Sequence, residues 1–143
     1  MSRRLEDHPS FRGATFVSHS ILIVEDDDSV RKSLLRLLQS HGWTCVSVDN
    51  GTDALQAAIL DPPTLVIIDL QLPGMSGADV VRTMRRHKAL ASIPVIALSA
   101  TLEDTPTGLF VRALTKPCSA QSLLAAIDET IAGLSKSRAG LSS

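Results

Sequence analysis

The sequence predicts an α/β protein built on a doubly wound parallel sheet. Three observations carry that prediction. The runs Ile21-Leu22-Ile23-Val24 and Leu65-Val66-Ile67-Ile68 are wholly apolar, as strands buried on both faces must be. Segments with apolar residues at helical spacing separate the strand-like runs. Strand and helix signals alternate along the chain, the pattern of parallel strands joined by helical crossovers.

Residues 1–18 are polar and broken by Pro9 and Gly13, and are read as an irregular N-terminal arm. Phe11 and Phe16 give that arm two rings that could dock on the body. The first strand, 21–24, runs into Glu25-Asp26-Asp27-Asp28. A helix follows with Val30, Leu34, Leu37 and Leu38 on one face, capped by Asp27 or Asp28 and ended by Gly42. Trp43 to Val48 reads as the second strand and Asn50-Gly51 as a turn. Ala54, Leu55, Ala58 and Ile59 form the stripe of a second helix, stopped by Pro62-Pro63.

The third strand ends on Asp69, and the loop Leu70-Gln71-Leu72-Pro73-Gly74-Met75-Ser76-Gly77 leads to a helix with Val80, Val81 and Met84 inward. Ile93 to Leu98 is the fourth strand, with Pro94 near its start, where a missing donor is tolerated. Leu109 to Leu114 suits a fifth strand, and Ser119 to about Leu134 a last helix. Residues 135–143 read as a frayed C-terminal tail, which leaves 19–134 as the folded domain.

Composition excludes several functions. With 14 Lys+Arg against 15 Asp+Glu, the chain lacks a basic nucleic-acid footprint. Aromatics are only 3%, with no Tyr, too few for a base-stacking platform. Cys45 and Cys118 make neither a CxxC nor a metal-type cluster with the histidines, and point to a reducing cytoplasm. Cys45 reads as a core residue, and His41 and His87 fall at helix ends, where the dipole favours them. No apolar stretch has the length of a membrane span, and neither a phosphate-binding glycine loop nor a dinucleotide fingerprint occurs.

Parallel sheets of this kind place their sites beyond the carboxyl ends of the strands. There the sequence puts Glu25-Asp26, Asp69, Ser99 and Lys116. Several carboxylates brought together call for a cation, and an all-oxygen set suits Mg2+. Lys116 and the Ser99 hydroxyl could hold phosphoryl oxygens. Taken singly, each residue has a structural reading: an acidic helix cap, a loop aspartate, a surface lysine.

Taken together, Ile21 to Asp26, Asp69 to Gly77, Leu98-Ser99-Ala100 and Leu114 to Pro117 resemble the receiver domains of two-component response regulators. The resemblance covers Ser20 to Leu134. It implies a flavodoxin-like, five-stranded sheet of order 2-1-3-4-5. It implies Asp69 as the phosphoacceptor, with Mg2+ bound by Asp26, Asp69 and the Gln71 backbone carbonyl, and by Glu25 through water. Ser99 and Lys116 would bind the phosphoryl group, and Gln71 and Thr101 stand at positions tied to acyl-phosphate lifetime. Lys116-Pro117 matches a cis bond of the family. The implied partners are a histidine kinase or histidine phosphotransfer protein and an unidentified downstream protein, with no role for nucleic acid or membrane. An oligomer stays open. The implied role is a phosphoacceptor rather than an enzyme; the alternative is a module that keeps the fold and works without phosphate.

Two features depart from the family. Only 16 residues separate Ser99 from Lys116, about five fewer than a regular receiver has, and they include Pro106 and Gly108. The fourth helix of the family is therefore expected to be reduced or missing. The family's aromatic switch position, three before the lysine, is Ala113.

Overall fold

The computed structural model describes residues 19–103 and 105–142, with side chains as far as residue 134. The N-terminal arm with Phe11 and Phe16 lies outside the described residues. In chain order the elements are β1 (Ser20–Val24), α1 (Asp28–Ser40), β2 (Thr44–Val48), α2 (Gly51–Leu60), β3 (Leu65–Asp69), α3 (Gly77–Arg86), β4 (Val95–Ser99), β5 (Arg112–Thr115) and α4 (Ala120–Ser142). The five strands form one parallel sheet of order β2-β1-β3-β4-β5.

Alternation along the strands sorts the core into two layers, because successive side chains leave opposite faces of a sheet. Leu22, Val24, Val66, Ile68 and Val95 pack on one face with Ala54 and Ala58 of α2 and Val80, Val81 and Met84 of α3. Ile21, Ile23, Leu65, Ile67, Ile96 and Leu98 pack on the other with Leu34 and Leu38 of α1 and Leu123 and Ile127 of α4. The wholly apolar runs are thus explained: both of their faces are covered. β2 lies at an edge of the sheet, where Val46 is exposed and Cys45 only half-buried.

Each of the first three helices starts on a capping side chain that satisfies an otherwise unpaired backbone donor. Asp27 accepts from Val30 N at 3.0 Å, Asn50 from Asp53 N at 2.8 Å and Ser76 from Asp79 N at 3.1 Å. Asn50-Gly51, read from sequence as a turn, is the cap and first residue of α2. His41 and His87 are the C-terminal caps of α1 and α3, and Gly42 takes the left-handed φ of +89° that ends α1.

Between β4 and β5 the described residues contain no helix, as the short segment predicted. Leu109 and Phe110 turn inward instead and pack on the α2/α3 side of the core. β5 therefore begins at Arg112, later than the apolar run beginning at Leu109 suggests. The last helix runs to Ser142, past residue 134 where its apolar stripe stops.

Candidate functional site

Strand register assembles the site. Val24 pairs with Ile68, so the residues that follow them, Glu25 and Asp69, leave neighbouring strands at one rim. Ser99 pairs with Thr115, and Lys116 N donates to Ser99 O at 2.7 Å. This brings Lys116, 91 residues from Glu25 in sequence, over the two carboxylates: its Nζ donates to Glu25 Oε1 at 3.2 Å and to Asp69 Oδ2 at 3.3 Å. The Lys116–Pro117 bond is cis, as the resemblance implied.

Glu25, Asp69 and Ser99 are each at most 2% exposed, whereas Asp26 faces solvent. Carboxylate oxygens of Glu25, Asp26 and Asp69 lie within 4.8 Å of one another. Burial, followed by the charge of Asp69, raises the Glu25 carboxyl above its ordinary range, although the backbone N–H of Asp27 and Lys116 oppose that rise. Burial pulls the Lys116 ammonium down, but hydrogen bonds and charges from Glu25 and Asp69 outweigh it and hold the pKa above its usual value. Three oxygen ligands, a surplus of negative charge and one ligand open to water make a donor set that fits a hard divalent cation.

Gly77 shows how closely the loop after β3 folds back on this rim. A Cβ there would lie 2.5 Å from the carbonyl oxygen of Asp69 and 2.9 Å from Leu70 Cα, so only glycine fits without displacement. Gly77 N donates to Leu70 O, and Asp69 Oδ1 accepts from Gln71 N at 2.9 Å, which fixes the carboxylate's orientation.

The structure brings together Glu25, Asp26, Asp69 and Lys116, with Ser99 at the end of β4 and Gln71 on the loop after β3. Thr101 enters through its backbone: Ser99 Oγ donates to Thr101 O at 2.6 Å. Sequence reasoning missed Arg31 and, although it singled out Gln71, did not foresee the contacts of that side chain. Arg31 Nη1 donates to Glu25 O at 3.0 Å and so ties α1 to the rim. The Gln71 side chain donates to Ser99 Oγ at 3.1 Å and accepts from Ala100 N at 3.2 Å. Neither carries a periodic signal; an arginine one turn into a helix that follows an acidic strand end is the only hint of the first. Burial pushes the thiol of Cys45 up to about 11 and also raises that of Cys118.

With this geometry in place, comparison with known proteins defines the class. The response regulator receiver domain model matches residues 21–128, and the chain belongs to that family, a signalling domain of two-component systems. Among curated proteins it is 40% identical over 113 residues to the sensory transduction protein RegX3 of Mycolicibacterium smegmatis, covering 76% of this chain and 48% of that protein. The chain spans about half the length of the curated relatives it matches. Among solved structures, the CheY-like receiver domain from Methylobacillus flagellatus is 30% identical with a TM-score of 0.73, covering 80% of this chain and 99% of that one. The receiver domain of the sensor histidine kinase PA1611 from Pseudomonas aeruginosa shares the fold, with a TM-score of 0.74 at 24% identity, covering 81% and 99% of the two chains; that structure has magnesium coordinated in its active-site cleft.

Proposed function

We propose that Asp69 accepts a phosphoryl group from a phosphohistidine of a histidine kinase or phosphotransfer protein. The observation that carries this reading is the lysine ammonium held within 3.3 Å of both Glu25 and Asp69, beside three carboxylates sharing one rim. A carboxylate oxygen of Asp69 attacks phosphorus in line; the P–N bond breaks, and the imidazole leaves with the bonding electron pair. Gln71 N–H and Lys116 orient the nucleophile beforehand, so its positioning precedes the encounter. Lys116 then follows the new phosphoryl oxygen, and Ser99 offers it a hydroxyl.

The residues suited to hold Mg2+ are Asp26, Asp69 and the Gln71 carbonyl, with Glu25 acting through water. When bound, the ion would neutralise charge that the three carboxylates and the phosphoryl oxygens would otherwise bring into conflict. An apolar groove of about 600 Å³ between α1 and the start of α4 opens beside Lys116, which leaves space for a donor protein against the rim. The signal then passes by protein contact, in the cytoplasm. Among the described residues no helix is long and apolar enough to cross a membrane.

Incubation with Mg2+ and acetyl phosphate tests the reading. Intact mass should rise by one phosphoryl group in the wild type and not in Asp69→Asn. The second reading, a phosphate-independent interaction module, draws on Ala113 in β5 and on a connection with no helix among its described residues. An unmodified wild type under these conditions would favour it.

A further inference from the structure

We infer that the Gln71 side chain is a latch that restrains the β4–β5 connection and competes with a phosphoryl group for Ser99. The inference rests on the reading of Asp69 as phosphoacceptor. Gln71 lies on the loop after β3, two residues beyond Asp69, yet both ends of its amide are engaged 28 and 29 residues away. Nε2 donates to the Ser99 hydroxyl and Oε1 accepts from the backbone N–H of Ala100. A primary amide donates at one end and accepts at the other at a charge that does not change with pH.

Hydrogen-bond accounting shows what the latch holds. Ser99 Oγ donates its one proton to Thr101 O at 2.6 Å, while Gln71 Nε2 and Thr101 N donate to it. The hydroxyl is therefore turned along the connection and not toward Asp69. Donating to an oxygen on phosphorylated Asp69 requires that proton to leave Thr101 O. As the hydroxyl turns, the amide of Gln71 must yield or follow, and Ala100 N loses its partner if the amide departs. Ala113 offers no ring to register the movement of Ser99. Gln71 supplies a different link, running from the phosphoacceptor loop straight into residues 99–101. It is a positioning residue, acting through Ser99.

The test uses Gln71→Ala, which keeps the backbone carbonyl and N–H, and beryllofluoride with Mg2+ as the phosphoryl mimic. Amide resonances of Ser99, Ala100 and Thr101 in the mimic-free variant should move toward their mimic-bound positions in the wild type. The apparent affinity for the mimic should rise roughly three- to tenfold, the range one net hydrogen bond commands. Gln71→Glu, which can accept from Ala100 N but in its ionised form cannot donate to Ser99, should reproduce the shift at Ser99 more than at Ala100. A loss of stability alone would raise no affinity. Unmoved amides, or an affinity that is unchanged or weaker, would overturn the latch. A wild type indifferent to beryllofluoride, with the amides of residues 99–101 still shifted in Gln71→Ala, would overturn the phosphoacceptor reading and the competition while preserving the restraint.

Discussion

The carboxylate rim and the β4–β5 connection meet at Ser99 but are held by different means. Glu25 follows β1 and Asp69 ends β3, strands whose apolar side chains are buried on both faces, so their positions are set by the core itself. The connection has no helix among its described residues and is held by a few side chains reaching in from other elements. Gln71 grips it at Ala100. At the other end Arg85 Nη2 donates to Leu109 O at 3.1 Å, while Nη1 donates to Ala91 O and Ile93 O. Leu109 and Phe110 add apolar contact with the core. The difference teaches that the rim is assembled by the core strands and does not require a helix between β4 and β5.

Mutations can break this separation or sharpen it. The largest effect falls on the rim, where Asp69→Asn should abolish phosphoryl uptake by mass spectrometry. Next, Lys116→Ala leaves Glu25 and Asp69 facing each other without a counter-charge. The cost should be about 2–3 kcal/mol in urea unfolding, below the 3–5 kcal/mol typical of fully buried pairs because Lys116 is 27% exposed. Excess magnesium should recover part of that loss, since a second cation answers the same charge.

Gly77→Ala forces a methyl against the Asp69 carbonyl and should destabilise by about 2 kcal/mol while slowing phosphorylation, because the loop that orients the carboxylate must shift. The smallest effect belongs to the connection. Arg85→Ala should cost about 1 kcal/mol, since the freed carbonyls can take water, and should speed limited proteolysis near residues 105–111. It should leave phosphoryl uptake intact. An Arg85→Ala protein that no longer accepts phosphate would show that rim and connection do not separate.

How much of this was legible in the sequence follows from the kind of interaction involved. Strand ends announce themselves by an abrupt change from apolar to acidic residues, so Glu25, Asp26 and Asp69 could be placed from Val24 and Ile68 alone. A cap at Asp27 or Asp28 was readable because capping acts over three residues, and the structure selects Asp27. The start of β5 was not: Leu109 and Phe110 are as apolar as strand residues, and only the space above α3 decides that they turn into the core. The end of α4 was hidden for the opposite reason, since residues 135–142 lack an apolar stripe although their backbone continues the helix. Gln71 and Arg85 act across 24 to 29 residues through polar side chains, and that type of contact leaves no periodicity to read.

The placement of β3 has one more consequence. It sits at the centre of the sheet between β1 and β4, and all five of its residues are buried. Amides in such a strand exchange with deuterated solvent only when the whole domain opens, whereas those of a loop exchange through small local fluctuations. The strand that carries Asp69 is thus expected to be among the last of the described elements to open. Asp69 therefore keeps its place through any local opening that leaves the sheet intact.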